Sequence, residues 1–383
     1  MISSFILYIL IVYTICNNYS NEIYQFNNTY TEVIHNKNLS HQPKNESKSL
    51  DKRKNLILGI IEGHSLNTIL PFFKSFIHAN FKNCDIVMFV RNINNSTIKY
   101  LESIGVYIYI IPEKYKNINV INLRWKMYLD YLRENKLKYK LILHTDVRDV
   151  FFQKDVFEYY ENSKPFLGVA IEDDTLKCQI NKRWIISYVG KEKYNIIKNE
   201  RIICAGTLWG TYEIFLNFCE VFWKRLLENP LSIDQGVANY MFSYEKLFSD
   251  YLLKSDNYGP VMTIGKTKPH NIIFDSDENI LNFSGEIAAV IHQYDRKKDI
   301  VQKVIKKYCP ELYHPKNEQT DIMKNEKQNI SEHNIRNNSL SIISSIKTKS
   351  NKVMYKNIIN ILILLQIFSI VLFLKYFFYN KHK

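Results

Sequence analysis

Residues 141–153 read LILHTDVRDVFFQ: an apolar run of strand length stops at Asp146, Val147, Arg148 and Asp149 and resumes at Val150. An unbroken Leu/Ile run is what a strand buried on both faces requires, and such strands occur where helices cover both sides of a parallel sheet. Sheets of that kind bind ligands beyond the carboxyl ends of their strands, which is where the two aspartates fall. The stretch therefore predicts an α/β fold that delivers charge to one sheet edge. Taken alone, a turn capped by Asp146 with Asp149 paired to a neighbouring cation would account for the same residues.

The sequence upstream supplies the rest of such a sheet. Residues 56–63 (LILGIIEG) form a continuous apolar run closed by glycine, and residues 65–80 have helical period, with Ser65 as N-cap and Ile69, Phe72, Phe73 and Phe76 on one face. A strand at 85–90, a short helix at 96–104, a strand at 106–111 stopped by Pro112, and a helix at 122–135 complete a βαβαβ alternation that leads into the 141–153 stretch. The expected architecture is a doubly wound α/β sheet. No GxGxxG follows the first strand and no GxxxxGK[ST] occurs anywhere, so dinucleotide and P-loop chemistry lose their main signal.

The ends of the 383-residue chain read differently from its middle. Residues 1–20 carry an uncharged apolar run followed by Asn17 and Asn18, as in a signal peptide or a short signal anchor. Residues 21–54 and 314–357 are polar and rich in Asn, Lys and Ser, as disordered tethers are. Residues 358–374 (IINILILLQIFSIVLFL) have the length and apolarity of a transmembrane helix, with a short tail at 375–383. This order places a domain at 55–313 on the lumenal side of a secretory-pathway membrane, ER or Golgi, with the cell surface as the alternative. The net charge of +13 is partly spread through the tethers, and no Lys/Arg run is interleaved with aromatics, which argues against nucleic acid. Six cysteines without CxxC spacing argue against a zinc cluster. Beyond Cys16, an oxidising lumen would permit disulfides among the other five and leave at least one thiol free.

Three later stretches add chemistry. Residues 204–210 (CAGTLWG) place small residues where backbone approaches something closely, or where a strand bends against a helix. Residues 232–239 (SIDQGVAN) open a helix, with Ser232 as cap and Asp234 and Gln235 in its first turn, where an acidic residue also simply suits the helix dipole. Residues 282–296 (NFSGEIAAVIHQYDR) end a short apolar strand at His292, with Arg296 four residues on, positioned for a phosphate or carboxylate. His292 suits either a buried, hydrogen-bonded core position or a metal site completed by the carboxylates Asp146 and Asp149. Mn²⁺ or Mg²⁺ is the cation that such hard oxygen ligands take when a diphosphate must be bridged.

A strand ending in an acidic pair, an Ala-Gly-x-x-x-Gly element, Asp-Gln at a helix start and a late histidine, in that order, resemble the GT-A glycosyltransferases of the nucleotide-diphospho-sugar transferase superfamily. The resemblance covers residues 55–296 and rests on TDVRDVFFQ (145–153), Ala205, Gly206 and Gly210, Asp234 and Gln235, and HQYDR (292–296). It implies a GT-A-like doubly wound mixed sheet flanked by helices, and transfer of a sugar from a UDP- or GDP-sugar donor to a glycan or glycoprotein acceptor by a membrane-anchored, hexosyltransferase-type enzyme. By the same resemblance, Asp146, Asp149 and His292 hold the metal. Gly59, Ile60 and Glu62 lie by the nucleoside, and Arg124 and Asp146 by the sugar diphosphate. Ala205 and Gly206 line the donor sugar, Arg296 holds a phosphate, and Asp234 and Gln235 stand on the acceptor side, Asp234 as a base or as a group orienting the sugar. The chain departs from the family pattern twice. Val147 and Arg148 separate the aspartates where the family has one residue, leaving open which aspartate touches metal, and Cys204 stands where the family has Asn. A non-catalytic glycan- or protein-binding ectodomain and a metal-dependent hydrolase are the competing readings.

Overall fold

The computed structural model describes residues 52–229 and 231–313. Contacts divide the chain into residues 1–53 and a second unit, residues 54–383, and the description that follows concerns the second. The expected leader at 1–20, nearly all of the polar segment at 21–54, the stem at 314–357, the membrane span at 358–374 and the tail lie outside the described residues. Among the described residues, no helix is long and apolar enough to cross a membrane.

The chain runs β1 (Lys54–Glu62), α1 (Leu66–His78), β2 (Cys84–Arg91), α2 (Asn95–Ser103), β3 (Tyr107–Ile110), α3 (Val120–Glu134) and β4 (Tyr139–Thr145). It continues through β5 (Val150–Phe152), β6 (Leu167–Thr175), α4 (Gln179–Ile197), β7 (Arg201–Thr211), α5 (Tyr212–Glu228) and α6 (Asp234–Ser243). Then follow β8 (Leu252–Ser255), β9 (Val261–Thr263), β10 (Ile273–Phe274), β11 (Ile280–Leu281), β12 (Val290–His292) and α7 (Lys298–Tyr308). Seven strands form the main sheet in the order β3-β2-β1-β4-β7-β6-β8, while β5, β12 and β9 form a smaller sheet and β10 and β11 a hairpin. The expected mixed α/β fold, a central sheet flanked by helices, is present.

Strand periodicity explains why the core strands carry no polar face. Leu56 and Leu58 point to the side covered by α3, α5 and α6, while Ile57 and Ile61 point to the side covered by α1, α2 and the small sheet; Val87 against Ile86 and Met88, and Ile142 against Leu141 and Leu143, divide in the same way. Both faces are buried, so both must be apolar. β3 differs. It sits at the sheet edge and leaves Tyr107, Tyr109 and Ile110 exposed, which a reading by alternation alone does not foresee.

Ser65 takes the N-cap position of α1 without a side-chain cap bond; its hydroxyl meets that of Thr68 instead. The cap expected of Ser232 is displaced by one residue. Ile233 is the N-cap of α6, Ser232 Oγ donates to Asn229 O, and the orphan amide of Asp234 donates to Asn122 Oδ1 on α3 at 3.1 Å. A tertiary contact thus does the work of a local cap.

The topology places the site. β1 pairs in parallel with both β2 and β4, but pairing with β4 stops at Leu58–His144, whereas pairing with β2 runs on to Glu62–Arg91. The sheet therefore opens between β1 and β4 at their carboxyl ends. This is where strand order reverses, and where α/β sheets hold ligands. On the far side of β4, β7 is antiparallel and β6 is antiparallel to β7, so β6 delivers its carboxyl end to the same edge.

Candidate active site

The turn after β4 solves a packing problem with its extra residue. Val147 folds inward and is 3% exposed, Arg148 faces out, and the two aspartates flanking them turn toward one point. Val147 fits because Gly59 has no side chain: a Cβ there would lie 2.8 Å from Val147 Cγ2 and 2.5 Å from Met88 Sδ. Gly59, expected beside a nucleoside, is thus enclosed beneath the turn. On the exit side, β5 is held on α1, where Phe152 N donates to Ser75 Oγ at 3.0 Å and the Phe72 and Phe152 rings meet edge-on at 4.9 Å.

The small sheet brings in the histidine. β12 runs antiparallel to β5 with His292 opposite Val150, and Gln293 N extends the ladder by donating to Asp149 O at 2.8 Å. His292 Nε2 then lies 3.6 Å from Asp146 Oδ2 and 3.7 Å from Asp149 Oδ1. This nitrogen is buried and has no hydrogen-bond partner. Asp146, Asp149 and His292 each offer one ligand atom within 4.8 Å of the others, so the three donors expected for a metal are brought together and neither aspartate is left out. An orphaned, buried nitrogen aimed between two carboxylate oxygens fits a divalent cation with oxygen and imidazole ligands. Gly206 makes the approach possible. A Cβ there would stand 2.5 Å from both Asp146 Oδ2 and His292 Cε1, while Gly206 O accepts from Asp146 N at 2.7 Å.

Arg124, on α3, holds Asp146 from behind. Nη1 donates to Asp146 Oδ1 at 2.6 Å, Nη2 donates to Ala205 O at 3.2 Å, and Nε donates to Asp234 Oδ2 at 3.1 Å, with Nη2 also on that oxygen. Trp125 Nε1 donates to the same Asp234 oxygen at 3.2 Å, and Gln235 N donates to the other, Asp234 Oδ1, at 2.7 Å. Asp234 is 2% exposed and both its oxygens are engaged. That is the position of an anchor for Arg124, not of a base open to an acceptor.

Burial opposes ionisation throughout this cluster, and partners decide each case. Burial raises the Asp146 carboxyl, but Arg124 and His292 outweigh it and hold the group well below the usual carboxylate range. Asp149 is pushed up, by burial first and by Asp146 and Asp295, against the pull of His292. His292 is disfavoured as a cation by burial, yet Cys204, Asp149 and Asp146 overcome this and raise it well above its ordinary value. A cation held through Nε2 would have to displace the proton that this shift favours.

β7 supplies the middle of the site through an irregularity. Pairing of β6 to β7 jumps from Val169–Leu208 to Ala170–Cys204, so residues 205–207 bulge out of that ladder. The freed Ala205 O accepts from Arg124 and also from His144 Nε2 at 3.1 Å, while Ala205 N donates to Gln235 Oε1 at 3.3 Å. Because a carbonyl only accepts, His144 carries its proton on Nε2, and Nδ1 accepts from Tyr128 OH at 3.1 Å. Burial keeps His144 neutral, well below its ordinary pKa.

Gln235, half-buried, also donates through Nε2 to Asn181 Oδ1 at 3.1 Å and to Glu172 Oε1 at 3.4 Å. Glu172 was not foreseen. It is 3% exposed, raised by burial, and close enough to His292 and Arg296 to feel their charge. The sequence carries its signal, since VAIEDD at residues 169–174 repeats the pattern of an apolar run ending in carboxylates. Arg296 is exposed and in no ion pair among the described residues; Arg148 instead reaches Asp295 Oδ2 at 3.1 Å and Asp149 Oδ2 at 3.6 Å. Ile60 and Glu62 lie at the open end of β1. Glu62 binds Arg91 Nε at 2.5 Å, and Arg91 in turn ties down the carbonyls of Tyr115 and Ile118.

No protein-family model matches the chain, and no curated protein matches it. Among solved structures, the galactosyltransferase LgtC in complex with donor and acceptor sugar analogs is similar at 14% identity and a TM-score of 0.41, over 69% of this chain and 99% of that one. An active-site mutant of LgtC gives 14% and 0.42 over the same shares. Core-mannan synthase A from Aspergillus fumigatus, in its Mn/GDP form, gives 11% and 0.34 over 57% of this chain and 80% of that one. At these values the likeness bears no weight on chemistry, which the geometry of the site has to supply.

Proposed function

We propose that this protein is a glycosyltransferase that uses a nucleotide-diphosphate sugar and a divalent cation, Mn²⁺ or Mg²⁺. The observation that carries the reading is the Nε2 of buried His292, without a hydrogen bond and aimed between Asp146 and Asp149 at the crevice where β1 and β4 part. A bound cation would offset the charge that develops on a departing nucleoside diphosphate. The chain's own residues divide the remaining work. Asp146, Asp149 and His292 hold the cation, Arg124 fixes the rotamer of Asp146, and Asp234 with Trp125 fixes Arg124. Gln235 and Glu172 present a carboxamide and a carboxyl to the sugar side, and the exposed Arg296 is free to meet phosphate. The acceptor in this reading is a glycan or glycoprotein, and the type of transfer is hexosyl.

The expected leader and membrane span extend the proposal to an enzyme anchored in the secretory pathway with its domain in the lumen. A metal-dependent hydrolase is the weaker reading; its two-metal form requires a second ion about 4 Å from the first, and among the described residues only one grouping of three or more His, Cys, Asp or Glu donors occurs.

The test is Mn²⁺-dependent binding and slow hydrolysis of UDP- and GDP-sugars by the purified protein, with Asp149→Ala and His292→Ala alongside. Binding and turnover that both substitutions abolish support the transferase. Donor binding without turnover or transfer identifies a binding domain, and absence of donor binding with cation present overturns the proposal.

A further inference from the structure

One buried side chain beside the site has no part in the functions above. Cys204, on β7, is 1% exposed, and its sulfur lies 3.4 Å from Nδ1 of His292, on the ring edge away from the carboxylates. A second donor, Gln293 Nε2, points at the same sulfur from 4.0 Å. The sulfur cannot reach the cation position, because the imidazole stands between them. What it can do is set the ring.

An imidazole that binds metal through Nε2 must leave that nitrogen unprotonated, so the neutral ring carries its proton on Nδ1 and needs an acceptor there. Carboxylates and carbonyls usually fill the role. Here Asp146 and Asp149 are both on the Nε2 side, and among the described residues the hydrogen-bonding contact at Nδ1 is the Cys204 sulfur. Gln293 can only donate through Nε2, which also makes the sulfur the acceptor of the group. Gln293 is itself held in a left-handed conformation (φ 61°) directly after His292, with its amide nitrogen on Asp149 O, so this geometry is fixed by the backbone of both strands.

We propose that Cys204 is a positioning residue for metal binding: its sulfur accepts the Nδ1 proton of His292 and so presents the Nε2 lone pair to the cation. The inference rests on the metal reading above and adds to it a specific dependence on residue 204. Sulfur is a weak acceptor, yet it is large enough to bridge the 3.4 Å to the ring nitrogen.

The test measures cation affinity directly, by titration of full-length protein with Mn²⁺ followed by electron paramagnetic resonance of the free ion, for the parent, Cys204→Ala and Cys204→Ser. Loss of the acceptor in Cys204→Ala is expected to weaken Mn²⁺ binding about 10- to 100-fold, the range for removing the partner of a ligating histidine. Cys204→Ser, which restores an acceptor, should recover most of that loss. Thermal unfolding without Mn²⁺ shows whether each variant is folded. A merely structural cysteine would weaken both variants through stability and leave the affinity of the folded fraction unchanged, which overturns the proposal. So does equal Mn²⁺ affinity in parent and Cys204→Ala. Absence of Mn²⁺ binding by the parent overturns the metal reading itself, and this proposal with it.

Discussion

A glycine and a proton decide how the residues of the proposed metal site can meet. Because a Cβ at position 206 would stand 2.5 Å from both Asp146 Oδ2 and His292 Cε1, Gly206→Ala must push one of them aside. We expect Mn²⁺ affinity to fall at least about tenfold with a stability loss of about 1–3 kcal/mol, the range for overpacking a tight site; calorimetric titration and urea unfolding measure the two separately. The proton gives a pH dependence with a definite sign. The raised pKa of His292 means that a cation entering the apo site displaces a proton, so affinity should rise with pH by about tenfold per unit below the folded pKa of His292 and level off above it. Asp149, also pushed up by burial, adds a second released proton toward acid pH. Titration in two buffers of different ionisation enthalpy counts the protons, and a flat pH profile would refute this account. For folding without metal, the raised His292 stabilises fully below pH 6.5 and the contribution is lost as pH rises through its folded value, whereas the lowered Asp146 stabilises above its ordinary 3.8 and is lost on acidification.

At the level of elements, the turn at 146–149 is held by pieces far apart in sequence: α3 through Arg124, which α6 anchors through Asp234, and β12 through His292. Here the sequence was legible in part. The apolar strands, the helix carrying Arg124, and the strand ends at Asp146 and His292 announce themselves by period and by abrupt changes of polarity. What does not is the partner of each charge. Asp234 at a helix start looks like a group poised for chemistry, and only the tertiary arrangement shows it spent on Arg124 and Trp125. Ser232 looks like a cap, and the bond comes from Asn122 instead. Neither bond can be read from spacing, since the partners lie 110 or more residues apart for Arg124–Asp234 and Asn122–Asp234. The two roles of Asp234 predict opposite phenotypes. As a buried anchor, its loss in Asp234→Ala takes one of two carboxylates from the buried Arg124 charge and should cost up to about 3–5 kcal/mol of stability. Gln235→Ala, beside it on the same helix, should leave stability within about 1 kcal/mol while lowering donor turnover. Denaturant unfolding beside donor hydrolysis tells them apart: a catalytic Asp234 would lose turnover at unchanged stability.

For the whole molecule, the fold and the proposed compartment meet at the glycosylation sequons. Three lie among the described residues, beginning at Asn94, Asn95 and Asn282. Asn94 and Asn95 are exposed at the start of α2. Asn282 is 2% exposed, its Oδ1 accepting from the amides of Ser284 and Glu286 at 3.0 and 2.9 Å and its Nδ2 donating to Tyr258 O at 3.0 Å. That side chain closes a turn and has no donor left to offer, so the fold gives position 282 a purely internal reason for being Asn. The five cysteines among the described residues are all unpaired, so the sequons are the better reporter of topology. If the body enters the lumen, glycopeptide mass spectrometry of protein made through the secretory pathway should find glycan at Asn94 or Asn95 and none at Asn282. Glycan at neither exposed site would argue against the lumenal placement, and glycan at Asn282 would mean that this turn is modified before it closes.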